Sequence, residues 1–154
     1  MSRAVARIDV PARVSAAEAL WYDHGRWPTF VDGLKHVDKV EGEWPRVGAR
    51  LLWTSHPGGR GRVVEEVTAY EARVGQTVRV EDEQTHATQR VAFEPHEGGT
   101  RVRLELEYRL KASRPLMPLV DLIFIRRQQR EALQRTLRRF RTELAAESDE
   151  ALAR

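Results

Sequence analysis

The side chains able to do chemistry in this sequence are scattered and form no recognised catalytic motif. The five histidines, His24, His36, His56, His86 and His96, include no pair at i, i+4, no His-x-His and no His-Glu-x-x-His. No local spacing therefore presents two imidazoles to one metal ion, and no metal site is expected. There is no cysteine, which removes thiol nucleophiles, disulfides and thiolate metal sites together. Gly-x-Ser-x-Gly and Ser-x-x-Lys are also missing, so no hydroxyl nucleophile carries its usual activating context. Pro57-Gly58-Gly59-Arg60-Gly61 is glycine-rich but fits neither the phosphate-cradling loop nor the dinucleotide fingerprint. It reads as a mobile hairpin able to gate a cavity mouth. No cofactor is expected.

What remains is a set of polar groups in phase with apolar ones. Trp53 alternates with Leu51, Gln89 with Val91 and Phe93, and Tyr108 with Leu104, Leu106 and Leu110; Val78 and Val80 lead on to Asp82 and Gln84. On a strand these sets share a face. An inward Trp53 indole, Gln89 amide and Tyr108 hydroxyl are the few oriented groups an apolar pocket uses to fix a ligand, unless they are core residues satisfied by neighbours or water. Between Val63 and Tyr70 two phases compete, and either Glu65 or Glu66 faces inward. An interior carboxylate needs a partner, because an isolated buried charge is costly; Arg62 or an arginine of the final helix is the candidate. For acid–base work the available groups are Tyr108, His86, Arg62 and the inward member of Glu65 and Glu66.

The elements that must position these groups are legible in the periodicity. Val5 to Ala12 alternates as a strand closed by Pro11. Ser15 followed by Glu18 forms a capping-box pattern for a short helix to about Asp23, and Arg26 to Phe30 makes a second short helical turn. From Lys35 to Lys111 six strands are expected, at 35–43, 49–56, 61–72, 77–84, 87–94 and 100–111, separated by Pro and Gly breakers. Connections this short favour an antiparallel meander. After Pro115 the period becomes 3.6: Leu116, Leu119, Val120, Ile123, Leu133, Leu137, Phe140 and Leu144 form a helical stripe, with Pro118 starting or kinking the helix.

The motifs that accompany this order are Val5-x-x-Ile8-x-Val10-Pro-Ala, Trp27-Pro-x-Phe30, Gly48-x-x-Leu-Leu-Trp53, Arg62-Val-x-Glu-x-Val67-x-x-Tyr70, Val91-x-Phe93-x-Pro95 and Gly99-Thr-x-Val102. From Val5 to about Leu144 they resemble the helix-grip fold of the START-related lipid-transfer and polyketide cyclase superfamily (SRPBCC). The resemblance implies an α+β fold: a curved antiparallel sheet of about seven strands wrapped around a long C-terminal helix, with two short helices after the first strand. It also implies a hydrophobic or amphipathic small molecule, such as a lipid, quinone or polyketide-like compound, held between sheet and helix. On that basis the ligand-contacting residues are Trp27, Phe30, Leu51, Trp53, Gln89, Phe93, Leu106, Tyr108, Ile123 and Arg127. Fold alone does not transfer activity, so a binding or carrier protein is the leading expectation. A polyketide aromatase/cyclase working by aldol closure and dehydration is the alternative.

Length and charge set the outer bounds. A chain of 154 residues, 41% hydrophobic and 32% charged, fits one domain over 1–146 with a flexible tail at 147–154. Its first ten residues contain no continuous apolar run, so neither a secretory signal nor a membrane span is read there and a cytoplasmic location is expected. The formal charge is +3, and only Lys35, Lys39 and Lys111 are lysines, so 23 of the 26 cations are arginines. Seven lie between Arg126 and Arg141 against Glu131 alone, and Arg126, Arg127 and Arg130 interrupt the apolar stripe. Without interleaved aromatics they make a poor nucleic-acid surface. They are read as a solvated face paired with Glu81, Glu83, Glu105 and Glu107, with two alternatives. One is a hold by Arg127 or Arg130 on a ligand carboxylate or phosphate; the other is a membrane, ribosome or protein contact through Arg135, Arg138 and Arg139.

Overall fold

Alternating side chains and short breakers build one antiparallel sheet in the computed structural model of the chain, which describes residues 1–111 and 119–153. The strands are β1 (Ser2–Val10), β2 (Leu34–Glu41), β3 (Arg50–Ser55), β4 (Arg62–Glu71), β5 (Gly75–Glu81), β6 (Thr85–His96) and β7 (Gly99–Leu110). Their order across the sheet is β1-β7-β6-β5-β4-β3-β2, so each strand from β2 to β7 pairs with its chain neighbour and β1 closes onto β7. Between β1 and β2 lie α1 (Val14–Tyr22), a 3-10 turn (His24–Arg26) and α2 (Trp27–Phe30); α3 (Leu119–Ala153) follows β7. This is the helix-grip arrangement.

The inward face is apolar at alternate positions, as in β7, where Val102, Leu104, Leu106 and Tyr108 are all buried. In β1 the inward members are Ala4, Ala6 and Val10, and Val5 faces outward. Small side chains there let α3 lie close along β1. The β4 ambiguity has a physical cause. Val63, Glu65 and Val67 point inward, but a register shift between Val67 and Ala69 reverses the phase, so that Tyr70 also packs on the core. An extra residue in one strand does this.

α1 does not start on Ser15. Its N-cap is Arg13, whose carbonyl accepts from Ala16 and Ala17, and no side chain caps it. Glu18 is instead buried against the β4–β5 turn, where it accepts from the Arg73 backbone N–H at 2.9 Å and from the Arg73 guanidinium. At its other end, two orphan carbonyls of α1 take indole donors: Trp27 Nε1–H on Trp21 O at 2.7 Å and Trp44 Nε1–H on Tyr22 O at 2.9 Å.

α3 buries Leu133, Leu137, Phe140 and Leu144, with Phe140 edge-on to Trp21 and Phe30 at centroid distances of 5.5 and 5.4 Å. Its 35 residues extend about 50 Å, whereas the longest strands, of 12 residues, reach about 40 Å. The helix therefore overhangs the sheet. Leu122, Ile123 and Phe124 are exposed on its first turns, so Ile123 is not part of the buried stripe as the sequence leads one to expect. Leu116 and Pro118 fall outside the described residues. Helix continues through 147–153, where a tail is expected, and Glu147 accepts from Arg26 at 3.1 Å.

Candidate functional site

Where α3 crosses the concave face, the core is incomplete and a cavity of about 90 Å³ remains. Its floor is the middle of the sheet: Trp53 of β3, Glu65 of β4, Gln76, Val78 and Val80 of β5, Gln89 and Val91 of β6, and Leu104 and Leu106 of β7. The roof is Gln129, Ala132, Leu133 and Thr136 of α3. Trp21 and Trp27 close one end, and Val31, Asp32 and Arg60 stand at the lip.

Each polar group here is held in a defined way. Glu65 is 6% exposed, and its Oε2 accepts the Trp53 Nε1–H at 2.7 Å. Burial is the dominant influence on this carboxyl and pushes it up from its ordinary value, against the Trp53 hydrogen bond and the charge of Arg60. Arg60 does not bond to Glu65. Its Nε donates to Asp82 Oδ2 at 2.7 Å, and its guanidinium carbon lies 5.6 Å from the Trp53 ring centroid. Asp82 is itself fixed, because its Oδ1 accepts from the Gln84 and Thr85 backbone N–H groups at 2.8 Å. The glycine-rich β3–β4 hairpin is thus latched to the β5–β6 turn at the cavity lip. Gln76 donates to Pro45 O at 3.0 Å, while the Gln89 amide has no protein hydrogen bond among the described residues and lines the cavity.

Asp32 joins the lip to the roof. It takes Arg135 through two bonds of 2.9 and 3.1 Å and Arg139 at 3.2 Å, while its backbone N–H donates to Thr136 Oγ1 at 2.9 Å. Two of the three arginines expected to meet an outside partner are therefore already paired within the chain. The expected strand carboxylates are not their partners: Glu81 bonds Lys111, and Glu105 on the outer face bonds Arg3 and Arg103. Burial pushes the Glu105 carboxyl up, but the hydrogen bond and charge of Arg103, with those of Arg3, bring it below its ordinary value.

Of the residues singled out from the sequence, Trp27, Trp53, Gln89 and Leu106 stand in the cavity wall. Phe30, Leu51, Phe93 and Tyr108 are buried around it without lining it: Phe30 packs on Trp21 and Phe140, and Phe93 on Tyr22. The Tyr108 hydroxyl is buried with no partner among the described residues. It shares the cross-strand row Leu51, Glu65, Val80, Ala87, Tyr108, but three strand spacings put it about 14 Å from Glu65 along the sheet. The two do not form an acid–base pair.

Five candidates lie elsewhere, Ile123 among them on the exposed first turns of α3. His86 and Glu66 point to the outer face, where His86 neighbours Glu81 at 3.8 Å and Glu66 accepts from Arg79 at 3.0 Å. Arg62 is exposed at the start of β4 on the outward phase. Arg127 is 71% exposed and donates to Glu131 at 3.0 Å, one turn along the helix, so it reaches solvent and not the cavity. Two further wall residues carry a signal in the sequence, Gln76 in its spacing with Val78 and Val80 and Thr136 in its place beside Leu133 and Leu137. Arg60 had no signal, since a loop residue has no phase. Among the described residues no group of three or more His, Asp or Glu is placed to hold a metal ion, and no described helix is long and apolar enough to cross a membrane.

The family model described as polyketide cyclase / dehydrase and lipid transport matches residues 1–145. No curated protein sequence matches this chain. Among solved structures, TTHA0849 from Thermus thermophilus is similar at a TM-score of 0.80 and 20% identity, over 96% of this chain and 99% of that one. A START superfamily protein from Mycobacterium smegmatis is similar at a TM-score of 0.77 and 12% identity, over 94% and 97%. The di-domain ARO/CYC StfQ from the steffimycin biosynthetic pathway is similar at a TM-score of 0.74 and 15% identity, over 96% of this chain and 51% of that one. At these identities the likeness is one of fold.

Proposed function

The chain belongs to the polyketide cyclase / dehydrase and lipid transport family, and from that premise we propose that it binds a small, mainly apolar molecule in the cavity between sheet and α3. The observation that carries this reading is the composition of the cavity wall. Val78, Val80, Val91, Leu104, Leu106 and Leu133 form the apolar part of a wall whose polar part is Asp32, Arg60, Glu65, Gln76, Gln89, Gln129 and Thr136, and the Glu65 carboxyl has no cation bonded to it. Apolar walls with a few oriented polar groups are what a ligand site requires. At about 90 Å³ the space is below the roughly 300 to 1,000 Å³ of ordinary ligand pockets. A cavity that takes a single benzene ring is about 150 Å³, so a ring-sized ligand requires α3 or the β3–β4 hairpin to move outward.

Native mass spectrometry of protein purified from its source without denaturant tests this. The expected spectrum contains the chain plus one small apolar molecule, released on denaturation; the bare chain alone, unchanged when apolar compounds are added, would reject the reading. A cyclase reading rests on one observation, the buried Glu65 carboxyl, which is placed to act as a general acid or base. It expects conversion of a poly-β-keto probe that Glu65→Gln abolishes.

A further inference from the structure

The least explained group in the molecule is the Glu65 carboxyl. It is buried, and the cation beside it, Arg60, gives its Nε–H to Asp82. Its cross-strand neighbours are Leu51 and Val80, and Val78 lies next to Val80 on the same face of β5. An ionised carboxylate left in such walls loses its hydration with nothing bonded to offset the loss but one indole N–H, whereas the neutral acid loses little. The geometry also distinguishes the two oxygens. Oε2 is the acceptor of the Trp53 N–H at 2.7 Å, which leaves Oε1 to carry the proton when the acid is neutral. Oε1 has no protein partner among the described residues, and Glu65 lines the cavity.

We propose that this site selects apolar molecules carrying a hydrogen-bond-accepting carbonyl, which receives the Glu65 O–H through Oε1 while Trp53 holds Oε2. The inference rests on the binding reading above and adds the ligand's chemical class. Gln89, two strands away on β6 and without a protein hydrogen bond among the described residues, offers a second polar contact to a ligand with another oxygen. The site does not suit a carboxylate, which would lose its hydration there with no free cation to meet it, the Arg60 charge being already paired with Asp82.

The test uses three probes of matched shape: acetophenone, isopropylbenzene and protonated 1-phenylethylamine. Each is titrated into the full chain at neutral pH while the Trp53 indole resonance is followed by 1H–15N NMR. The expected result is acetophenone binding about three- to ten-fold more tightly than isopropylbenzene, the yield of one net neutral hydrogen bond, and the amine binding more weakly than either. Glu65→Gln keeps a donor and should hold the ketone preference within about two-fold, whereas Glu65→Leu should erase it. Equal affinity of the ketone and the hydrocarbon for the native chain would overturn the inference and leave the binding reading standing. Tightest binding by the amine, lost in Glu65→Gln, would overturn it in favour of an ionised Glu65. If none of the three moves the Trp53 resonance, the binding reading falls as well.

Discussion

Glu65 carries an unusual cost whose sign can be worked out. Its carboxyl is pushed above the ordinary 4.5, mainly by burial. Above that pH the unfolded chain has released the proton that the folded chain still holds, so unfolding releases a proton and stability falls as pH rises. Below 4.5 both states are protonated and the contribution is complete. Arg60 and the Asp82 bonded to it are the charged groups beside Glu65. Urea unfolding at a series of pH values should therefore show native stability declining from about pH 4.5 upward toward the raised value, with Glu65→Gln removing that decline; parallel profiles would show that Glu65 is not held neutral. Asp9, Glu41, Glu81 and Glu105 lie below their ordinary values and act in the opposite direction, losing stability as pH falls.

α3 divides into a part that supports the core and a part that does not. Leu137 is fully buried, and truncation to Ala leaves a cavity under the helix, which costs about 2 to 5 kcal/mol. Ile123, at 59% exposure, is on the overhanging turns, and its change to Ala should stay within about 0.5 kcal/mol. Thermal and urea unfolding of both variants check this; a large loss at Ile123 would mean that the first turns are covered in solution. The same contrast explains what was legible in the sequence. Periodicity locates the strands, the long helix and the inward set Val102, Leu104, Leu106 and Tyr108, because one face of each meets the core. It does not show where the core ends along a helix, so Ile123 and Arg127 read like Leu133. Nor does it settle β4, because the shift after Val67 puts two phases in one strand. Arg60 and Asp32 act through pairings across 22 and more than 100 residues of chain, which no local pattern records.

For the whole molecule, these pieces describe a small enclosed space whose walls are sheet and helix and whose lip is latched. The Arg60–Asp82 pair ties the hairpin to the neighbouring turn, and Asp32 with Arg135 and Arg139 ties the helix to the loop before β2. The Asp32 pairs are partly exposed and worth on the order of 1 kcal/mol or less each, and Asp82, though buried, keeps its two backbone N–H donors when Arg60 leaves it, so opening the lip costs less than unfolding the sheet. A ligand can then enter without loss of the core. Arginines enriched on the last helix are in this view partly a clamp. The most direct measurement of the central claim is a set of intermolecular nuclear Overhauser effects from acetophenone to a methyl-labelled chain. Contacts to the methyl groups of Val78, Val80, Leu106 and Leu133 are predicted; contacts confined to the exposed Leu122 and Ile123, or to no methyl at all, would contradict a site between sheet and helix.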